Sequence, residues 1–266
     1  MSDFDRNYAS PFGRAATGRA TDAAAVDAGL RSYMLKIYNY MTIGLAITGF
    51  AALGVYMAAV TTDAGAAAAR FGNAYLTQFG YAMFVSPLKW LFILAPLVMV
   101  FAISFGINRL QPRTAQMLFW AFSALMGLSL SSLFLVYTHT SIVRVFFITA
   151  ASFGALSLYG YTTKRDMTGI GSFLMMGLFG IIIASLVNLF VASSMLQFIV
   201  SVVGVLVFAG LTAYDTQRLK NDYIYGYASQ GGDIAEKAAI TGALSLYLNF
   251  INLFTLLLQL LGQRNN

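Results

Sequence analysis

Cysteine is absent from this chain, and histidine, proline and charge are scarce: one His, four Pro and 10% Asp, Glu, Lys and Arg in 266 residues. The lack of cysteine excludes disulfides, thiolate metal sites and thiol nucleophiles. A lone His139 cannot build a histidine-rich metal cluster, and it falls in an expected outer loop rather than within the bilayer, where an intramembrane serine nucleophile would need its base. It is read as a loop residue rather than a pH sensor. Intramembrane aspartyl catalysis needs two carboxylates, yet Asp215 alone abuts an apolar stretch. The last apolar stretch has no lysine for a Schiff base. Taken together, these absences point away from an enzyme.

What remains is apolar. Hydrophobic residues make up 59% of the chain and the mean hydropathy is +0.72, far from the roughly half-apolar, quarter-charged composition of soluble domains. The chain is therefore an integral membrane protein, and the absence of short alternating segments argues against a β-barrel. Runs long enough to cross about 30 Å of hydrocarbon are predicted at Ile37–Val60, Trp90–Ile107, Gln116–Tyr137, Val145–Tyr161, Phe173–Ala192, Met195–Tyr214 and Ala239–Leu261. Residues 31–266 read as one seven-helix transmembrane domain. Residues 1–30, rich in Ala, Gly and Arg, read as a disordered cytoplasmic tail with no cleavable signal.

Basic residues set the expected orientation. With the N-terminus inside, the inner segments hold Arg6, Arg14, Arg19, Arg31, Lys36, Arg109, Arg113, Lys164, Arg165, Arg218, Lys220 and Lys237. The outer ones hold only Arg70, Lys89, Arg144 and Arg264, so a cytoplasmic N-terminus and an outside C-terminus are predicted. The net charge of +6 is then a topology signal and a means of contact with anionic lipid, not a sign of nucleic-acid binding.

Two connections are long. The outer one, Thr61–Lys89, carries Phe71, Tyr75, Phe79, Tyr81 and Phe84, an aromatic set suited to the membrane interface. The inner one, Asp215–Ala238, contains Asp233 and Glu236 at capping-box spacing, so both acids are assigned to starting the last helix. No internal repeat and no Gly-x-x-x-Gly occurs, although glycines such as Gly44, Gly49 and Gly54 suit close helix packing.

The most informative pattern is in Ala239–Leu261. Its polar side chains Thr241, Ser245, Asn249, Asn252, Thr255 and Gln259 recur at three or four residues and project from one helical face. Unpaired carboxamides in hydrocarbon cost several kcal/mol, so this stripe must face protein or water. On the preceding helix, Asp215 shares a face with Ser201, Gly204 and Thr212 and sits three residues before Arg218, a natural ion-pair partner.

Three strings identify a relationship: Ser86-Pro87-Leu88-Lys89-Trp90, Ala213-Tyr214-Asp215-Thr216-Gln217 and Leu246-Tyr247-Leu248-Asn249-Phe250-Ile251-Asn252-Leu253-Phe254. With seven spans, the chain from Tyr33 to Gly262 resembles the Bax inhibitor-1 family in its bacterial inner-membrane branch. The resemblance implies six helices around a central seventh and, in some members, a pH-sensitive calcium leak gated by two aspartates. The first matches Asp215; the second falls on Asn249. Two neighbouring carboxylates must share a proton, whereas an amide can simply donate to one, so weak pH gating is expected. Arg218, Ser245, Asn252 and Thr212 are the expected supporting lining. No resident cofactor or metal is implied; calcium is the transported ion, with Asp215 its transient contact. The alternative is an interaction protein that modulates a membrane protease or membrane-protein quality control.

Depth is the open point. Asp215 lies at the end of its predicted span, whereas Asn249 lies about 15 Å into the last helix. Either the sixth helix continues past Lys220, or the inner membrane boundary lies deeper on the last helix. If neither holds, Thr241 or Ser245 is the level partner.

Overall fold

The computed structural model describes residues 11–107, 109–227 and 232–265, with side chains from residue 26 onward. Of the tail expected over residues 1–30, residues 1–10 lie outside the described residues. The chain forms helices α1 (Pro11–Ala59), α2 (Gln78–Phe84), α3 (Lys89–Gly106), α4 (Pro112–Leu130), α5 (Leu133–Val136), α6 (His139–Thr162), α7 (Thr168–Val191), α8 (Ser194–Tyr225) and α9 (Gly232–Leu261). Seven helical stretches are long and apolar enough to cross a membrane, in the order predicted.

The third span, Pro112–Val136, is interrupted by a turn near its outer end. α4 stops at Leu130 and α5 adds one turn after Ser131 and Ser132, whose hydroxyls donate to the carbonyls of Leu128 and Ser129 and compete with the helical ladder. His139 is the first residue of α6 rather than a loop residue; Thr138 caps that helix, and the imidazole packs on Tyr56 and Phe134. The outer connection holds a small antiparallel sheet of β1 (Val60–Thr61), β2 (Ala69–Phe71) and β3 (Ala74–Leu76), ordered β1-β3-β2, which periodicity did not signal in strands this short. Between α6 and α7, the hydroxyl and backbone N–H of Thr168 donate to the exposed Asp166 and hold its carboxyl below the usual range.

α9 is the most buried of the spans. It packs on α1, α4, α6 and α8, while α3 lies outside on α4 and α7 outside on α8. The most extensive contacts of α9 are thus with four helices. At its centre Tyr247 is wholly buried, edge-on to Phe119 and Phe122, with its hydroxyl 2.6 Å from Thr48 Oγ1. That hydroxyl pair satisfies a phenol that would otherwise be costly in the core.

Small residues let the backbones approach. A Cβ built on Gly160 of α6 would lie 2.1 Å from the Ala213 carbonyl oxygen of α8, and one on Gly127 of α4 would lie 2.5 Å from the Thr48 carbonyl oxygen of α1. Six residues before Gly160 in α6, Gly154 faces open space. Gly160→Ala is expected to cost about 1–3 kcal/mol through backbone displacement, whereas Gly154→Ala stays neutral or gains slightly from helix propensity. Thermal unfolding of the two purified variants checks this, and equal midpoints would contradict the packing described.

Candidate functional site

α7 and α8 are joined by a two-residue turn in which Ala192 takes a left-handed conformation, φ 50°. Asn188 Oδ1 accepts from the Ser193 N–H, and Ser193 Oγ then caps α8 through the Leu196 N–H. This tight reversal lays α7 along α8 but leaves α7 and α9 apart. A cleft of about 660 Å³ opens between them, with α8 as its floor.

The two walls differ in chemistry. α7 contributes Met175, Leu178, Ile181, Ile182, Leu186 and Leu189, with Ser185 as its polar member. α9 contributes Ser245, Asn249, Asn252, Thr255 and Gln259, so five of the six stripe residues line the cleft. Thr241, the sixth, lies beyond its inner end in a separate hollow and donates to the Lys237 carbonyl. From Ser245 to Gln259 the polar wall runs about 21 Å along the helix axis.

Asp215 closes the inner end. It is buried, with only 6% of its surface exposed, and both carboxylate oxygens are engaged. Ser245 Oγ and Asn249 Nδ2 each donate to Oδ2 at 2.8 Å, and Arg218 Nη2 lies 3.0 Å from Oδ1. The Arg218 guanidinium also covers the Tyr214 ring. The contact is possible because α8 continues ten residues past Asp215, to Tyr225, so the carboxylate is not at a helix end. At the outer end, Ser201 Oγ donates to Gln259 Oε1 at 2.8 Å. Between these clasps Gly204 receives Leu256, and inward of the Asp215 clasp Leu219 packs against Gly242.

Two expectations change here. Thr212 does not line the cleft: its hydroxyl donates to the Phe208 carbonyl, and its own carbonyl accepts from Thr216 on another face of α8. Glu236 accepts from Tyr40 Oη and pairs with Lys36 at 3.4 Å, tying α9 to α1 rather than closing a capping box, while Asp233 lies within the first turn. Asn252 does line the cleft, with its Nδ2 donating to the Leu248 carbonyl.

Sequence reasoning missed a second polar line, in which Tyr38 Oη lies 2.5 Å from Ser157 Oγ, itself 2.9 Å from Thr216 Oγ1. Ser141, Thr149 and Ser157 are buried at intervals of eight along α6, a spacing that could have flagged that face. Among the described residues no group of three His, Asp or Glu is placed to hold a metal.

A family model described as "Inhibitor of apoptosis-promoting Bax1" matches residues 30–266. The chain belongs to the Bax inhibitor-1 family. Within it, the chain is 46% identical to the inner membrane protein YbhL of Escherichia coli over 239 residues, 89% of this chain and 94% of that protein. A protein of Caulobacter vibrioides is 44% identical over 264 residues, 98% of both chains, and one of Rickettsia prowazekii is 45% identical over 240 residues, 90% of this chain and 93% of the other. In this Bax inhibitor-1 family member the strings around Asp215 and Asn249 form one hydrogen-bonded centre, although they lie 34 residues apart.

In Asn249→Asp, two carboxylates occupy that centre, and the folded protein keeps a proton that the unfolded chain releases at neutral pH. Folding is then linked to proton uptake, so the variant loses stability relative to wild type as pH rises from about 5 to 8. Thermal midpoints of both proteins across that range test the coupling, and parallel profiles would refute it.

Proposed function

We propose that the chain is an ion-homeostasis protein of a bacterial inner membrane, passing cations slowly along the α7–α8–α9 cleft with Asp215 as its inner gate. The observation that carries this reading is the wall of hydroxyl and carboxamide groups from Ser245 to Gln259 that ends on a buried carboxylate. Its length covers about two thirds of a 30 Å hydrocarbon layer. Such a wall can replace part of an ion's hydration shell, while the apolar α7 face keeps the passage narrow in water content.

The resemblance to calcium-leak members supplies calcium as cargo. One carboxylate with amide and hydroxyl neighbours is a weak calcium site, so Asp215 is a transient contact and no ion is resident. Asn249 donates to the carboxylate without competing for a proton, and the pH response is correspondingly weak. Arg218 adds a positive charge at the gate and slows cation entry. No catalytic role is part of this reading; among the described residues the groups bonded to Asp215 are an amide, a hydroxyl and a guanidinium.

The orientation follows the bias of basic residues, with the Asp215 end and the N-terminus cytoplasmic and the C-terminus outside. The inner-membrane location draws on similarity to YbhL. A second reading, an interaction protein acting on a membrane protease or membrane-protein quality control, draws on the closure of the polar groups: Asp215 has both oxygens bonded, and Asn252 and Thr255 bond within α9.

Calcium flux into proteoliposomes separates the two. The native chain is expected to give weak flux that changes little between about pH 5 and 8, Asn249→Asp a pH-dependent flux, and Asp215→Ala no pH response. No flux above empty liposomes in all three would overturn the leak reading. Orientation has its own check, made simple by the absence of cysteine. Ala66→Cys is expected to react with an impermeant maleimide from outside, and Lys164→Cys only after permeabilisation; the reverse pattern would invert the topology.

A further inference from the structure

A second groove lies between α1 and α6. These two helices each pack on α8 and α9 but close on one another only sparsely. The gap holds about 580 Å³ and is walled by Met34, Leu35 and Met41 of α1 and by Phe153, Leu158 and Tyr161 of α6. Leu35 and Leu158 are each more than half exposed along it. Where Gly154 lines the groove, a Cβ would meet nothing within 4 Å, so the space there is open to its floor. The floor is the Tyr38–Ser157 hydroxyl pair, which bridges the two helices and satisfies both hydroxyls.

The two ends of the groove are unlike. At one end sits Arg31, exposed and without an ion pair among the described residues; Asp27, one turn earlier, does not reach it. Tyr161 lines the same groove, and Lys220 Nζ donates to its carbonyl at 2.8 Å and lies over its ring, so a second cation stands behind the α6 wall. The other end, at Met41 and Thr42, is closed to charge. From Arg31 to Thr42 is about 16 Å along α1, half of a 30 Å hydrocarbon layer and therefore the depth of one leaflet.

We propose that this groove binds one anionic phospholipid of the inner leaflet. Its headgroup phosphate pairs with Arg31, with Lys220 behind, and one acyl chain lies between α1 and α6 down to Thr42. An arginine fork suits a phosphate because it can donate two parallel hydrogen bonds. The cytoplasmic leaflet is where anionic headgroups meet basic side chains at the ends of spanning helices. The assignment of leaflet uses the orientation proposed above, but the binding itself does not depend on ion flux and can fail or hold independently of it.

Native mass spectrometry of the purified full-length protein, titrated with phosphatidylglycerol and phosphatidylcholine of identical chains, reads the site directly. The native chain is expected to retain one phosphatidylglycerol at least roughly fivefold more strongly than phosphatidylcholine, the ratio one basic side chain gives near anionic lipid. Arg31→Gln, at an exposed position with no packing to lose, should bring the two lipids level. Gly154→Leu, which fills the groove, should reduce retention of both, whereas Gly180→Leu on the open face of α7 should change neither. Equal retention of the two lipids by the native chain would overturn the proposal. So would unchanged selectivity in Arg31→Gln.

Discussion

A carboxylate buried within a membrane bundle is tolerated only if its charge is paired and both oxygens find donors, and that requirement at Asp215 organises the half of the molecule around it. Three donors from two helices meet the carboxylate, which fixes the axial register of α8 against α9. Once that register is set, Gly204 opposes Leu256, Leu219 opposes Gly242, and Ser201 meets Gln259 about 21 Å away. A slip of one turn would strand the charge and break the other contacts with it. The polar groups supply specificity of alignment, and the apolar contacts between them supply most of the adhesion.

The spans were legible because twenty apolar residues have few other uses, and the stripe on α9 because polar groups in hydrocarbon must share a face. The Asp215–Asn249 contact was legible only from the resemblance. Periodicity alone placed Asp215 at a helix end, since Arg218 and Lys220 look like a boundary. In the folded chain Arg218 is held by Asp215 and Tyr214, and Lys220 by Tyr161, so neither charge ends the helix.

Other features were hidden for physical reasons. Thr212 satisfies itself on its own helix, which no spacing rule distinguishes from lining a cleft. Glu236 reads as a cap until α1 brings Tyr40 and Lys36 within reach, a contact set by tertiary packing across almost the whole chain. The outer sheet is built from strands of two or three residues, too short for alternation to register.

α7 differs from the other spans in how it is held. Its buried contacts form a small cluster with α8 and α9, of Leu174, Ile181, Val207, Phe208, Leu211, Leu253 and Leu256, separate from the large core that binds α1, α4, α6 and α9. Gly171 seats the Tyr214 ring and Gly210 seats Leu174, so α7 interlocks with α8, and at its inner end Gln217 of α8 accepts from the Met167 N–H and donates to the Arg165 carbonyl. The polar wall is held by the large core and the apolar wall by α8. The width of the cleft is therefore set by α8, the one beam to which both walls are fixed.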